Sequence, residues 1–118
     1  MKYILILFTA ICLIQCKTKK SATTPVATPA YAPSEKELSI AQKNWPNSTT
    51  EQLQEGNTIY RTKCTKCHEN FEITSFSEKK WKHEINDMAP KAKLTDLEKE
   101  NLSKFILSYR EANTVAPK

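Results

Sequence analysis

The sequence predicts an all-α fold of about three short helices, and three observations carry that expectation. Gly occurs once, at Gly56, so the chain is poorly supplied for tight hairpin turns or Gly-rich phosphate loops, which need residues free to take positive φ. No segment sustains the alternation of a half-buried strand, whereas apolar residues recur at steps of three and four in three places. Finally, 118 residues leave room for one small domain at most.

The N-terminal segment has the pattern of an export signal. Lys2 opens a short positive region, and an apolar run from Tyr3 to Ile14 follows, broken only by Thr9. About a dozen residues fall short of the roughly 20 needed to span a membrane but suit the apolar part of a signal peptide. Leu13-Ile14-Gln15-Cys16 resembles a bacterial lipoprotein box, with Gln15 where that box usually has a small residue. The resemblance implies a signal over residues 1–15 and lipidation of Cys16, hence a membrane anchor in the cell envelope, facing the periplasm or the outer surface. An ordinary secretory signal or an uncleaved anchor is the alternative, and each places the rest of the chain outside the cytoplasm.

Residues 16–48 read as a flexible linker. Pro25, Pro29, Pro33 and Pro46 stand among Ser, Thr, Ala and Lys, and such a segment buries too little surface to offset chain entropy. Leu38-Ser39-Ile40-Ala41 and Trp45 are exceptions, suited to a strap docked on the domain or to a short transient helix.

The domain is expected over residues 49–112, followed by a tail over 113–118. Its first helix runs from about Thr50 to Thr62, capped by Ser48, Thr49 or Thr50, with Leu53, Gly56, Ile59 and Tyr60 on one face. The second runs from about Glu78 to Asp87 behind Ser77, with Trp81, Ile85 and Met88 on one face and a break ahead of Pro90. The third runs from about Asp96 to Arg110. Thr95 and Glu98 form a capping box there, and Leu97, Leu102, Phe105, Ile106 and Tyr109 form an apolar stripe.

The formal net charge is +5, but acidic and basic residues balance within residues 51–112. The basic excess lies outside the expected domain, so no nucleic-acid partner is expected. Three short helices also make a thin core, and domains this small often need a staple, a metal or a cofactor.

Cys64-Thr65-Lys66-Cys67-His68 supplies a candidate. Cys-x-x-Cys-His is the attachment signature for c-type haem. Residues three and four apart on a helical turn share a side, so two thiols can form thioethers to the haem vinyl groups while the imidazole reaches the iron. A zinc site would want a fourth ligand such as His83 at an unusual spacing. A thiol–disulfide site would normally sit on a βαβ scaffold with strands that are not evident here.

Gly56-x-x-x-Tyr60-x-x-x-Cys64-x-x-Cys67-His68 resembles the first helix of the cytochrome c family, over roughly residues 50–112. The resemblance implies one covalent haem on Cys64 and Cys67 with His68 as proximal iron ligand. It implies close crossing of the last helix at Gly56, with Tyr60 packed at that crossing. It also implies Met88 as distal iron ligand, at a shorter separation from His68 than in most of the family. Met88 as core filler, and His83 or an open position on the iron, are the alternatives. Trp81 is expected either to pack in the core or against the haem, or to donate its indole N–H to a propionate. Phe71, Ile73 and Phe76 are expected to cover the haem face or edge. The function implied is electron transfer between redox partner proteins rather than catalysis. A five-coordinate or bis-His haem protein, sensing a gas or acting on peroxide, is the alternative.

Overall fold

A computed structural model describes residues 30–67 and 69–114. The expected signal peptide, Cys16, most of the expected linker, His68 and residues 115–118 lie outside the described residues. Within them the protein is all-helical, with four α-helices and no strand.

One helix is additional to the three expected. α1 spans Glu35–Asn44, inside the stretch read as linker, so that reading is corrected from residue 35 onward. A capping box starts the helix: the Ser34 hydroxyl accepts from the Glu37 N–H at 3.2 Å, and Glu37 accepts from the Ser34 N–H at 2.7 Å. The helix lies along the last helix of the chain. Its buried residues are Ala41 and, unexpectedly, Glu37. The Glu37 carboxylate also accepts from the Tyr31 hydroxyl at 2.9 Å and the Asn113 side-chain amide at 3.2 Å, which compensates its burial. Lys36 donates to the Ala112 carbonyl at 2.6 Å. Trp45 packs on the core, so the apolar exceptions in the linker do form a docked strap.

α2 spans Thr50–Thr62, opened by a capping box between Thr49 and Gln52, and buries the expected face of Leu53, Gly56, Ile59 and Tyr60. α3 spans Glu78–Lys91 behind the N-cap Ser77. It outruns the expected end and takes in Pro90. In the final turn the missing Pro N–H removes a single helical bond, and the turn closes by other means. Lys93 takes φ 53°, its N–H donates to Pro90 O at 3.1 Å and the Leu94 N–H donates to Ala89 O at 2.9 Å. That is a Schellman end, with lysine where glycine is usual. α4 spans Asp96–Asn113 from the expected Thr95–Glu98 capping box. Leu102, Phe105 and Ile106 are buried as expected, but Leu97 is 62% exposed because it sits in the first turn, clear of the crossing.

α2 and α4 cross at Gly56. A Cβ there would strike the Asn101 carbonyl, 2.8 Å from its carbon, and lie 2.6 Å from Phe105 Cβ. The missing side chain thus sets how closely the two helices approach. Around the crossing, Ile59, Tyr60, Ile73, Trp81, Ile85, Leu102, Phe105, Ile106 and Leu107 form one core. Each large side chain buried there contributes about 1.5–3 kcal/mol.

Candidate functional site

Lys63 ends α2, its N–H donating to Ile59 O at 2.8 Å. The chain then tightens into a 3-10 turn over Cys64–Lys66. Cys64 is half-buried, Cys67 is exposed, and neither is in a disulfide. Burial pushes the Cys64 thiol above its ordinary pKa. A thiol–disulfide exchange site normally holds its attacking thiol below that value, so the environment of Cys64 argues against such chemistry.

Cys64 lines an apolar cleft enclosing about 430 Å³, open solvent at its mouth included. Tyr60, Phe71, Trp81 and Met88 line it too, so five of the residues assigned a role at the site from the sequence meet there. Cys67 does not line it. Gly56 belongs to the helix crossing rather than to the cleft, while His68 and Cys16 lie outside the described residues. His83 is exposed on α3, on the side away from Trp81 and Ile85. Among the described residues no three His, Cys, Asp or Glu side chains cluster as a metal site would require.

The aromatic residues divide the work differently from expectation. The Trp81 indole N–H donates to Ile73 O at 2.7 Å. That single donor is used within the protein, and Trp81 is buried in the core, so of the alternatives expected for it the structure shows core packing. Ile73 is buried in the core, and neither it nor Phe76 is in the cleft lining. Phe71 stands at the cleft, 48% exposed. Phe76 stacks between Phe71 and Trp81, with ring centroids 5.0 and 5.3 Å away. The Tyr60 hydroxyl donates to Phe71 O, and burial, helped by Cys64 and Glu72, pushes its pKa up to about 12.

Asn70, Glu84, Ile85, Leu102 and Ile106 complete the lining. Sequence reasoning assigned none of them to the site. Glu84 falls three residues after Trp81 and four before Met88, so helical spacing alone puts it on that face. Leu102 and Ile106 are likewise four apart on α4.

An ion pair ties the cysteine turn to α4. Lys63 contacts one Glu98 carboxylate oxygen, and the other accepts from the Thr95 N–H at 2.9 Å. The Lys63 ammonium, then the Thr95 N–H, hold the Glu98 carboxyl below its usual 4.5. A folded-state pKa below the unfolded one means that the folded chain binds fewer protons in the carboxylate range. The stabilisation is complete above pH 4.5 and is lost as pH falls through the folded value. Glu98→Gln keeps the capping box but loses the ion pair. The variant is expected to melt below the parent at pH 7 and to converge on it in acid. Thermal melts at several pH values check this, and a constant offset across that range would assign the carboxylate no such role.

The chain matches no protein-family model, no curated protein and no solved structure. Among the described residues no helix is long and apolar enough to cross a membrane.

Proposed function

We propose that this protein is a single-haem electron carrier of the cell envelope, anchored through a lipid on Cys16. Cys64 and Cys67 would hold the haem through thioether bonds, and His68 and Met88 would supply its iron ligands. The observation that carries the reading is the shared cleft: an apolar cleft lined by both Cys64 and Met88, with Tyr60 and Trp81 beside them. A c-type haem bound there supplies a one-electron couple at its iron.

The chain's own residues do the rest. Trp81, Ile85, Leu102 and Ile106 exclude water, and a dry, apolar surrounding raises the potential of a bound iron centre. The Met88 thioether acts in the same direction. Lys82 and Lys91 are engaged by Glu78 and Asp87 and Lys63 by Glu98. Among the described residues Lys66 and Lys79 make no such ion pair, and they would attract an acidic redox partner protein.

Met88→Ala tests the ligand set. In protein made by a host with c-type haem maturation, the variant is expected to lose the methionine–ferric-iron charge-transfer band. Its reduction potential is expected to fall, and cyanide or carbon monoxide is expected to bind readily. Equal ligand binding by parent and variant would remove Met88 from the iron and point to an open position. A colourless parent would end the haem reading.

A further inference from the structure

Aromatic rings run without a gap from the cleft to the N-terminal strap. Trp81 and Tyr60 line the cleft, with ring centroids 6.2 Å apart. Phe105, at the crossing of α2 and α4, lies 6.0 Å beyond Tyr60. Tyr31 of the strap meets Phe105 edge-on at 5.1 Å, and Tyr109 stands beside both, 6.4 Å from Tyr31 and 5.7 Å from Phe105. Each step is a direct ring contact. Electron tunnelling fades exponentially with distance, so it is fast across such steps.

The polar groups on these rings have different partners. The Tyr60 hydroxyl donates to Phe71 O and the Trp81 indole N–H to Ile73 O. With Arg110, which donates from Nε to Phe76 O at 2.6 Å, they hold backbone carbonyls of the segment between the cysteine turn and α3. An amide carbonyl is too weak a base to keep a proton. The Tyr31 hydroxyl instead donates to Glu37 Oε2 at 2.9 Å, and a carboxylate at that distance can take the proton. Glu37 is 4% exposed. The Ser34 N–H at 2.7 Å and the Asn113 amide at 3.2 Å hold it against the phenol. Gln54 of α2 pins Tyr31 in turn, donating to its carbonyl at 3.3 Å. Burial, then the bond to Glu37, push the Tyr31 phenol well above its ordinary pKa, so it keeps its proton until it is oxidised.

We infer that Tyr31 and Glu37 form a redox-active pair: Tyr31 gives an electron through Phe105 and Tyr60 to an oxidised centre in the cleft, while its proton passes to Glu37. The inference rests on the proposed haem for that centre, whereas the pair itself is independent of any cofactor. With hydrogen peroxide as oxidant the step balances. The peroxide O–O bond breaks as two electrons and two solvent protons convert it to two waters. One electron comes from the reduced iron and the other from Tyr31, whose O–H bond breaks as a new one forms on Glu37. The oxidising equivalent then rests on a partly exposed tyrosyl radical at the strap, away from the cleft, where a reductant from solution can quench it.

Two oxidants test the pair and the path. Flash-generated azide radicals oxidise tyrosine from solution, and the tyrosyl absorption band reads the pair. The band is expected to fall severalfold in Tyr31→Phe, which keeps every ring contact, and to persist in Tyr109→Phe. It is expected to form severalfold more slowly in Glu37→Gln, whose amide matches the carboxylate in size and is a far weaker base. Hydrogen peroxide added to the reduced, haem-loaded Met88→Ala chain reads the path, through the tyrosyl signal in electron paramagnetic resonance. In that background Tyr31→Phe is expected to abolish the signal and Phe105→Leu to lower it severalfold, while Phe105→Leu matches the parent with azide. An azide-derived band unchanged in Tyr31→Phe overturns the radical site, and an unchanged rate in Glu37→Gln overturns the proton acceptor. A peroxide-derived signal that survives Tyr31→Phe, or is equal in Phe105→Leu, overturns the path. A colourless parent is a failure of the haem reading, recognised at purification. The path then falls with it, and the azide comparison alone decides the pair.

Discussion

Replacing Cys64 and Cys67 together by serine is expected to yield a colourless chain with reduced helical circular dichroism and no sharp melting transition. Tyr60, Trp81, Ile85, Leu102 and Ile106 belong both to the core and to the cleft lining. On the proposed reading, cofactor atoms add to their packing on the cleft side. Without them that contribution is lost, and a domain of this size has little stability to spare. Expression beside the parent in a host with haem maturation makes the comparison. An unaltered helical spectrum and melting temperature in the double variant would show that the core is complete without a covalent group.

Gly56→Ala is the second large effect. The added carbon gains about 1 kcal/mol of helix propensity. It also collides with the Asn101 carbonyl and with Phe105 Cβ at 2.6 Å. Backbone atoms cannot rotate away as a side-chain tip can, so α2 and α4 must separate along their crossing. Overpacking of this kind costs about 1–3 kcal/mol and at times more, and here it opens the best-packed contact in the fold. A net loss of about 2 kcal/mol corresponds to roughly 10 °C in melting temperature for a domain this small. Gly56→Val adds β-branched bulk and is expected not to fold. A Gly56→Ala variant that melts with the parent would mean that the helices have room to slide.

Much of the helical order was legible because the helices announce their own starts. Thr49 with Gln52, and Thr95 with Glu98, each satisfy two orphan N–H groups, a local event that tertiary packing does not alter. Ser34 with Glu37 carries the same signal for α1, in a stretch whose prolines and sparse apolar residues read as linker. What holds α1 down is a buried carboxylate meeting Tyr31 and Asn113, and hydropathy patterning is blind to such contacts. Pro90 misled for a related reason, since a Schellman end at Lys93 absorbs it. At the site, the cysteine motif and the Trp81–Met88 spacing could be read directly. Glu84, Leu102 and Ile106 were not assigned to the site, although the same periodicities place them on the faces that line it. Asn70, the Phe71 wall and the Arg110 bond were not readable, because they depend on where an irregular segment happens to meet three helices.

That segment is gripped by its carbonyl oxygens at residues 71, 73 and 76, and every amino acid has one. The side chains of Thr74 and Ser75, whose hydroxyls bond to Glu72 within the segment, can therefore drift over evolutionary time without loosening the grip, and substitutions there should be tolerated in a saturation library. The constraint falls instead on the three distant donors Tyr60, Trp81 and Arg110. Descendants of this chain should thus vary at the exposed positions of 69–76, keep apolar side chains at 73 and 76 where the segment meets the core, and retain a phenol, an indole and a guanidinium at three widely spaced positions.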